Sequence, residues 1–482
     1  MSSHDVAPVA ATLAVVAGTL IGQRLGAGPG HLMALASLIA LVVALASPTR
    51  WLRRVGIAIC LCACGAAVMQ RALNGSARHS LTAAVARGAA VELRGELVGD
   101  PSPSKFETTA LLRVSVASVS GGEWQRVDRV LVVHARARSR GPLSVLDAAD
   151  HLYLRGDLLP LRGFDERMRW KHAVAAVDLY EVVAIGEPSA PWKFANRLRS
   201  IVQRGIDRMP IDDRGLLNGF LLGDTRGIDD ALKSEFRAAG LSHLLAVSGA
   251  NVAFVLSLAA PLLMRSRIGV RVGLGCCIVV LFGAMTRFEP SVLRASCMAL
   301  VTLGAQLAGR SVSALRALSY AVGTLLVIDP FLVRSVAFQL SASACLGIAL
   351  CSKSLAARVP GPAMVQQAVG VSIAAQIGVT PVLMATFGGV GWVSPAANLF
   401  AVPLAEPITV VGLPLAVIAS MWRPAAVLLL PVGWALQSIS AVARVATAAP
   451  VLLIVAAALT IALGATVSRT RAAIDQPVDS SP

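Results

Sequence analysis

Gly215-Leu-Leu-Asn-Gly-Phe-Leu-Leu-Gly-Asp-Thr-Arg-Gly227 leads into Ile228-Asp-Asp-Ala-Leu-Lys-Ser-Glu-Phe-Arg-Ala-Ala-Gly240, and then into Leu241-Ser-His-Leu-Leu-Ala-Val-Ser-Gly-Ala-Asn-Val252. An otherwise strongly apolar chain here carries a dense set of polar and glycine residues. Hydrophilic groups are expensive in hydrocarbon, so those at membrane depth line a protein interior or a water-filled path. Glycine permits the sharp turns and close backbone approach that such a path requires. Function is therefore expected in this stretch. Asp224, His243, Ser248 and Asn251 would face the path, and Gly223, Gly240 and Gly249 would shape the backbone.

The flanks set the class. Of 482 residues, 56% are hydrophobic and 15% charged, against about 25% charged in an ordinary soluble domain. Mean hydropathy is +0.70. Such an apolar excess does not fit inside one globular core, so the chain reads as a polytopic membrane protein. The net charge of +16 comes mostly from arginine. Part of it is topological, because cytoplasmic loops collect Lys and Arg. The rest suits anionic lipid or nucleic acid, and net charge does not choose between them. All eight cysteines lie in or beside apolar runs, so the polar segment between 75 and 240 has no disulfide framework. Cys60, Cys62 and Cys64 alternate in sequence and so point to different sides of a helix, which reads as small buried hydrophobes rather than a metal site. The Met1-Ser-Ser-His-Asp5 start lacks the basic residues and Ala-x-Ala site of a cleaved signal, so the first apolar run is expected to be a retained helix.

A spanning helix needs about 20 mostly apolar residues. Candidates lie near 7–23, 31–48 and 55–72, and, after the polar segment, near 241–264, 269–286, 291–308, 315–329, 335–351, 366–386, 396–420, 425–442 and 450–467. Arg50, Arg53 and Arg54, then Arg265, Arg267 and Arg271, then Arg310 and Arg316, make every second loop basic. That alternation expects a cytoplasmic N-terminus and places the polar segment outside the cytoplasm. Within that segment, Val91 to Val98, Leu111 to Val119 and Val130 to His134 alternate as strands do, which points to a small barrel or sandwich. Near 192–209 the period becomes helical. Phe194, Leu198, Ile201, Val202, Ile206 and Met209 share one face, and Lys193, Arg197, Arg199, Arg204 and Arg208 form the basic remainder. Such a helix suits either the membrane surface or the side of the strand-rich domain.

Asp229 and Asp230 read as N-terminal caps of a short helix that Gly240 stops. On one continuous helix, Asn251 would lie about 80° and Ser248 about 140° from His243, a broad shared side. Either a satisfied polar seam or a pore lining fits that placement. The same separation opposes a His243–Ser248 hydrolase pair, which needs hydrogen-bond reach. Gln339, Ser343 and Gly347 share a helical stripe, and so do Ser372, Gln376 and Thr380, just before Pro381. Small and hydroxylated residues also glue helices together, but Gln339, Gln376, Asn398 and Glu406 must each find a partner or water. Asn398, Pro403, Glu406 and Pro407 mark a helix expected to be broken, a transporter device. No Walker-type loop occurs. No clustered His-x-His-x-Asp-His set is present, so neither a metal site nor catalysis is expected.

The Gly-Leu-Leu…Leu-Leu-Gly-Asp224 run, Phe236-x-x-x-Gly240-Leu-Ser-His-Leu-Leu-Ala-Val-Ser-Gly249 and Val252 resemble the competence domain of ComEC-type DNA uptake channels. Asp329-Pro330, Phe338-Gln-Leu-Ser, Ala374-Ala-Gln-Ile…Pro381, Asn398-Leu-Phe-Ala-Val-Pro403 and Gly163-Phe-Asp-Glu-Arg…Ala173 are similar to that family as well. The resemblance implies a mainly α polytopic membrane protein of about 10–12 transmembrane helices, with an inserted small all-β OB-like extracytoplasmic domain. Expected divisions are N-terminal helices to 74, the OB-like domain at 75–190, interfacial helices at 191–240, a channel domain at 241–468 and a disordered cytoplasmic tail at 469–482. The function implied is passage of single-stranded DNA through the cell membrane during natural transformation. Arg94, Arg113, Arg136 and Arg138 are the basic candidates for a DNA-binding groove. Implied partners are single-stranded DNA, membrane lipid, a DNA receptor, a nuclease and a cytoplasmic ATPase or helicase, with oligomerisation open. Two departures stand out: Asn251 stands where the family often has His, and the metallo-β-lactamase-like domain that ends many relatives is expected to be lacking. A solute transporter coupled to an ion gradient through Glu406 is the alternative, and a scaffold without transport a third.

Overall fold

Three long helices open the computed structural model, which describes residues 3–77, 80–104, 106–136, 139–245, 247–360, 362–388 and 393–460. They are α1 (Ser3–Leu25), α2 (Gly30–Ala46) and α3 (Arg50–Ala77). A side chain at Gly18 or Gly22 of α1 would collide with the backbone of Cys62 or Ala66 on α3. The Gly-x-x-x-Gly spacing thus lets two apolar helices approach to backbone contact, where dispersion rather than water release holds them.

A short helix, α4 (Thr82–Arg87), leads into strands β1 (Ala90–Leu97), β2 (Ser102–Pro103), β3 (Thr108–Val119), β4 (Gln125–Ala135), β5 (His151–Leu159) and β6 (Ala173–Gly186). The helix α5 (Arg140–Ser144) follows β4. The strand order is β1-β5-β6-β4-β3-β2, and β1 also pairs with β3, so five strands close on themselves. β4 and β6 run parallel; the other pairs in the ring are antiparallel. The alternation read in the sequence becomes an inside and an outside. Leu93, Leu112, Leu131, Leu152, Leu154 and Val177 fill the interior with no exposed surface. The β1 register shifts between Arg94 and Gly95, and a Cβ at Gly95 would strike the Arg113 carbonyl. A bulge at a glycine coils a strand and so helps a small barrel close.

The remaining helices are α6 (Ala190–Ile206), α7 (Ile211–Leu222), α8 (Asp230–Ala238), α9 (Gly249–Leu263), α10 (Ile268–Met285), α11 (Pro290–Leu307), α12 (Ala314–Ile328), α13 (Val336–Ala356), α14 (Ala363–Phe387), α15 (Ser394–Met421) and α16 (Leu430–Ala448). Each apolar run read in the sequence overlaps a helix among the described residues. Among the described residues, eight helical spans are long and apolar enough to cross a membrane, and three shorter apolar helices, Gly30–Ala46, Ala314–Ile328 and Pro450–Thr460, accompany them. The expected tail at 469–482 lies outside the described residues. By its internal contacts the chain divides into two compact units. One comprises Ser2–Leu198 with Ser319–Ser335; the other comprises Arg199–Leu318 with the chain from Val336 onward.

The expected break around Glu406 is absent. α15 runs unbroken through Pro403, Pro407 and Pro414. Each proline removes one N–H from the ladder, yet Ala401, Ala405, Gly412, Ala416 and Ala419 bury one face of the helix. Packing against neighbouring helices makes interior proline tolerable at membrane depth.

Candidate functional site

In the larger helical unit, α7 ends where Gly223 turns left-handed, with φ of +72°. Its N–H donates to Gly219 O at 3.0 Å, and the Asp224 N–H donates to Asn218 O at 3.3 Å. Both bonds satisfy carbonyls at the helix end. Any side chain at 223 would also meet Val247 and the Glu289 carboxylate at 3.1 Å.

The turn aims Asp224, 8% exposed, into a buried cluster. Its carboxylate accepts from Arg226 Nε at 2.9 Å and Nη2 at 2.7 Å, from the Arg226 N–H at 3.1 Å and from Gln203 Nε2 at 3.2 Å. Arg199 Nη2 lies 3.2 Å away. Arg199 also donates to Leu222 O at 3.0 Å and Met285 O at 2.6 Å. Burial alone would raise the Asp224 carboxyl; the Arg226 hydrogen bonds and the Arg226 and Arg199 charges override it and hold it at about 2. Arg199 corrects the sequence reading, which put it on the basic, outward side of its helix. Ala195, Arg199, Val202 and Ile206 are the buried stripe of α6, whereas Phe194 is exposed. A guanidinium occupies a core position because a carboxylate and two carbonyls receive it.

The single helix expected across His243, Ser248 and Asn251 is also corrected. Ser242–Leu244 is a 3-10 turn, and α9 begins only at Gly249, so the angular relation among the three does not hold. Ser248 Oγ donates to Asn251 Oδ1 at 2.8 Å, and Asn251 Nδ2 donates to Phe220 O at 3.1 Å. These bonds tie the start of α9 to the end of α7. Ser291 Oγ reaches Val247 O at 2.6 Å and draws in α11. A Cβ at Gly249 would sit 2.5 Å from Arg294 Nη2. Arg294 is itself 4% exposed, and its guanidinium contacts Cys345 Sγ of α13.

A second group forms around Gly240, whose φ is +74°. A Cβ there would collide with Ser394 at the start of α15. The Ser394 hydroxyl lies 3.5 Å from Asn398 Nδ2, and His243 Nδ1 lies 3.2 Å from Gly240 O. Ser343 and Gly347 press instead on Ala374 and Gly378 of α14, a small-residue packing seam. Gln376 is half-buried with its amide nitrogen unpartnered among the described residues, one residue-turn before Thr380 and Pro381. Gln339 lies half-buried on α13, and Glu406 is exposed on α15. A cavity of about 10 Å³ in this unit, between Leu221, Phe254, Phe282 and Thr409, has room for about one water.

In the barrel-bearing unit, Arg94 stacks over Trp124 at 4.8 Å, and Trp124 lies 6.5 Å from Tyr153. Arg113 pairs with Glu96 at 3.0 Å, and Arg136 pairs with Glu107 at 3.1 Å and Asp178 at 3.3 Å. Arg138 lies outside the described residues. Of the basic candidates described, Arg94 alone sits on an aromatic face. The sequence also gave no hint that two of its motifs meet. His172 pairs with Asp329 at 3.1 Å, Trp170 packs edge-on against Phe331 at 5.6 Å, and Arg334 stacks on Trp170 at 5.1 Å.

Comparison with known proteins agrees with this placement. The chain is 28% identical over 232 residues to ComE operon protein 3 of Bacillus subtilis (strain 168), covering 46% of this chain and 29% of that protein. It is 29% identical over 216 residues to Uncharacterized protein YcaI of Escherichia coli (strain K12), covering 42% of this chain and 28% of that protein. The chain thus spans less than a third of the length of each relative. No solved structure matches. The family model described as Competence protein matches residues 220–472, more than half of the sequence, and takes in Gly223, Asp224, Gly240, Asn251, Arg294 and Asn398. The chain belongs to the Competence protein family.

Proposed function

We propose that this multi-pass membrane protein is a channel that carries single-stranded DNA across the cell membrane into the cytoplasm during natural transformation. The observation that carries the reading is the coincidence of the family match with the buried Asp224 and Asn251 and the polar residues around them at 223–251. Asp224, held ionised by Arg199 and Arg226, fixes the turn that sets α7 against α9. Ser248 and Asn251 stand at the start of α9, beside the buried Arg294, a cation suited to a phosphodiester. His243, Gln339, Ser343, Gln376, Asn398 and Glu406 complete the proposed path, with Pro381 and Pro403 marking sites of weakened helix ladder.

The barrel is proposed as an OB-like domain outside the cytoplasm, with the N-terminus inside. Its closed five-strand ring with one parallel pair supports the OB-like reading, and such folds hold single strands on aromatic platforms beside basic grooves. Arg94, Trp124 and Tyr153 supply that combination. A receptor, a nuclease and a cytoplasmic ATPase are the partners this route requires, because the constellation offers no bond-breaking chemistry of its own. The alternative of ion-coupled solute transport loses the helix break that favoured it, since α15 is continuous at Glu406, and keeps only the acidic side chain itself. Deleting the gene in a transformable host should abolish entry of labelled DNA into the cytoplasm while DNA bound at the cell surface persists. Unchanged transformation overturns the reading.

A further inference from the structure

The turn at Ala27–Pro29, α2 and α3 line a cavity of about 830 Å³ that the DNA route does not use. Its volume lies within the range of small-molecule sites, roughly 300–1,000 Å³. Gly28, His31, Ser37, Cys64, Arg71 and Asn74 contribute the polar part of the lining, and among the described residues no carboxylate lines it. Asn74 Nδ2 donates to Gly28 O at 2.7 Å and fixes the wall. Arg71 and His31 have no hydrogen-bond or ion-pair partner among the described residues.

Depth is given by the helices. α2 begins at Gly30 and α3 ends at Ala77, so both lie at the bundle end from which the barrel chain emerges. At 1.5 Å per residue, Arg71 is about 9 Å from the end of α3 and His31 is at the first turn of α2. Given about 5–8 Å of interfacial region on each side of the hydrocarbon, the Arg71 backbone lies at the inner edge of that region, and its long side chain reaches back to the level of lipid phosphates. Ala34, Ala67 and Val68 continue the lining inward to Cys64, about 20 Å from the same end. Leu35 and Leu38 of α2 are more than half exposed alongside. The cavity is therefore cationic at headgroup depth and apolar below.

We infer that this cavity binds an anionic phospholipid, its phosphate held by Arg71, His31 and the N-terminal turn of α2, and its acyl chains lying along α2. A phosphate ion satisfies the polar mouth equally well. The apolar lower half and its size select the lipid, since a free anion would use only the polar mouth whereas acyl chains fill the apolar remainder. The inference does not depend on the transport reading.

The test uses the purified full-length chain, delipidated in detergent and titrated with phosphatidylglycerol or phosphatidylcholine under native mass spectrometry. Wild type should retain phosphatidylglycerol in preference. Arg71→Gln should weaken retention roughly tenfold or more, as loss of a charge-assisted bond does, and Ala67→Trp should fill the site and do the same. Arg24→Gln, which removes a cation at the same end but outside the cavity, should leave retention unchanged. Arg71 is exposed, so its variant is expected to elute as a folded protein and decides the matter even where Ala67→Trp does not accumulate. Equal retention by Arg71→Gln and wild type overturns the inference. Full displacement of the lipid by millimolar inorganic phosphate overturns it too, assigning the site to the free ion.

Discussion

Arginine is abundant in both the barrel and the competence block, but it is placed oppositely. On the barrel, the Arg113 side chain is 53% exposed beside Glu96, and Arg136 is 58% exposed beside Glu107. In the helical unit, the Arg199 side chain is 2% exposed against Asp224 at 8%. Water screens the first pairs and stabilises either partner alone, so they contribute little. The second pair has no water to fall back on, and losing one member leaves an uncompensated buried charge. The barrel rests on its apolar interior; the motif segment rests on polar groups that must all be present. The glycines follow the same division, since Gly223 and Gly240 sit where the backbone itself is part of the polar arrangement.

The largest effect is expected at that buried pair. Arg199→Met should destabilise the folded protein by about 3–5 kcal/mol, read as loss of the cooperative thermal transition in detergent. A small effect would place the pair on the barrel's side of the comparison. Acid titration comes next. The Asp224 carboxyl titrates at about 2 when folded and at 3.8 when free. The unfolded chain therefore takes up this proton first as pH falls. The stability it contributes, about 2 kcal/mol, is complete above about pH 5 and lost as pH falls toward 2. Asp213 behaves in the opposite sense. Burial raises its carboxyl against the hydrogen bond from Gln437, so Asp213→Asn should leave the protein at least as stable at neutral pH. A clear loss there would show that its charge is compensated.

Trp124→Ala should weaken oligonucleotide binding to the full-length protein by about 1–3 kcal/mol, the worth of one stacked base, with thermal stability little changed. Unaltered binding would remove the aromatic platform from the proposal. Arg113→Gln is expected to have the smallest effect, at most about 1 kcal/mol on stability. A larger loss would mean that the barrel too depends on its ion pairs.

The legibility of the sequence follows the same contrast. Period-two alternation at Val91 to Val98 and Leu111 to Val119 located β1 and β3, and each apolar run overlaps a helix among the described residues, because both signals depend on burial of apolar surface. The interior position of Arg199 was not legible, since its acceptors come from Asp224, Leu222 and Met285, far away in sequence. Its spacing from Ala195, Val202 and Ile206 was the available signal, overridden by the assumption that charge faces outward. The continuity of α15 escaped for a related reason: three prolines argue for a break locally, and the packing that holds the helix together is tertiary. Likewise, His172 and Asp329 each sat in a family motif, and only the fold brought them together.

The central claim is that Gln339, Gln376, Asn398 and His243 line one aqueous route for a DNA strand. Single cysteines at these four positions, in a background without the native cysteines, can be challenged with a membrane-impermeant maleimide in vesicles with and without single-stranded DNA. The account predicts that all four react from the aqueous phase and that DNA slows each reaction. Four cysteines inert with or without DNA, in protein that is correctly inserted, would contradict it.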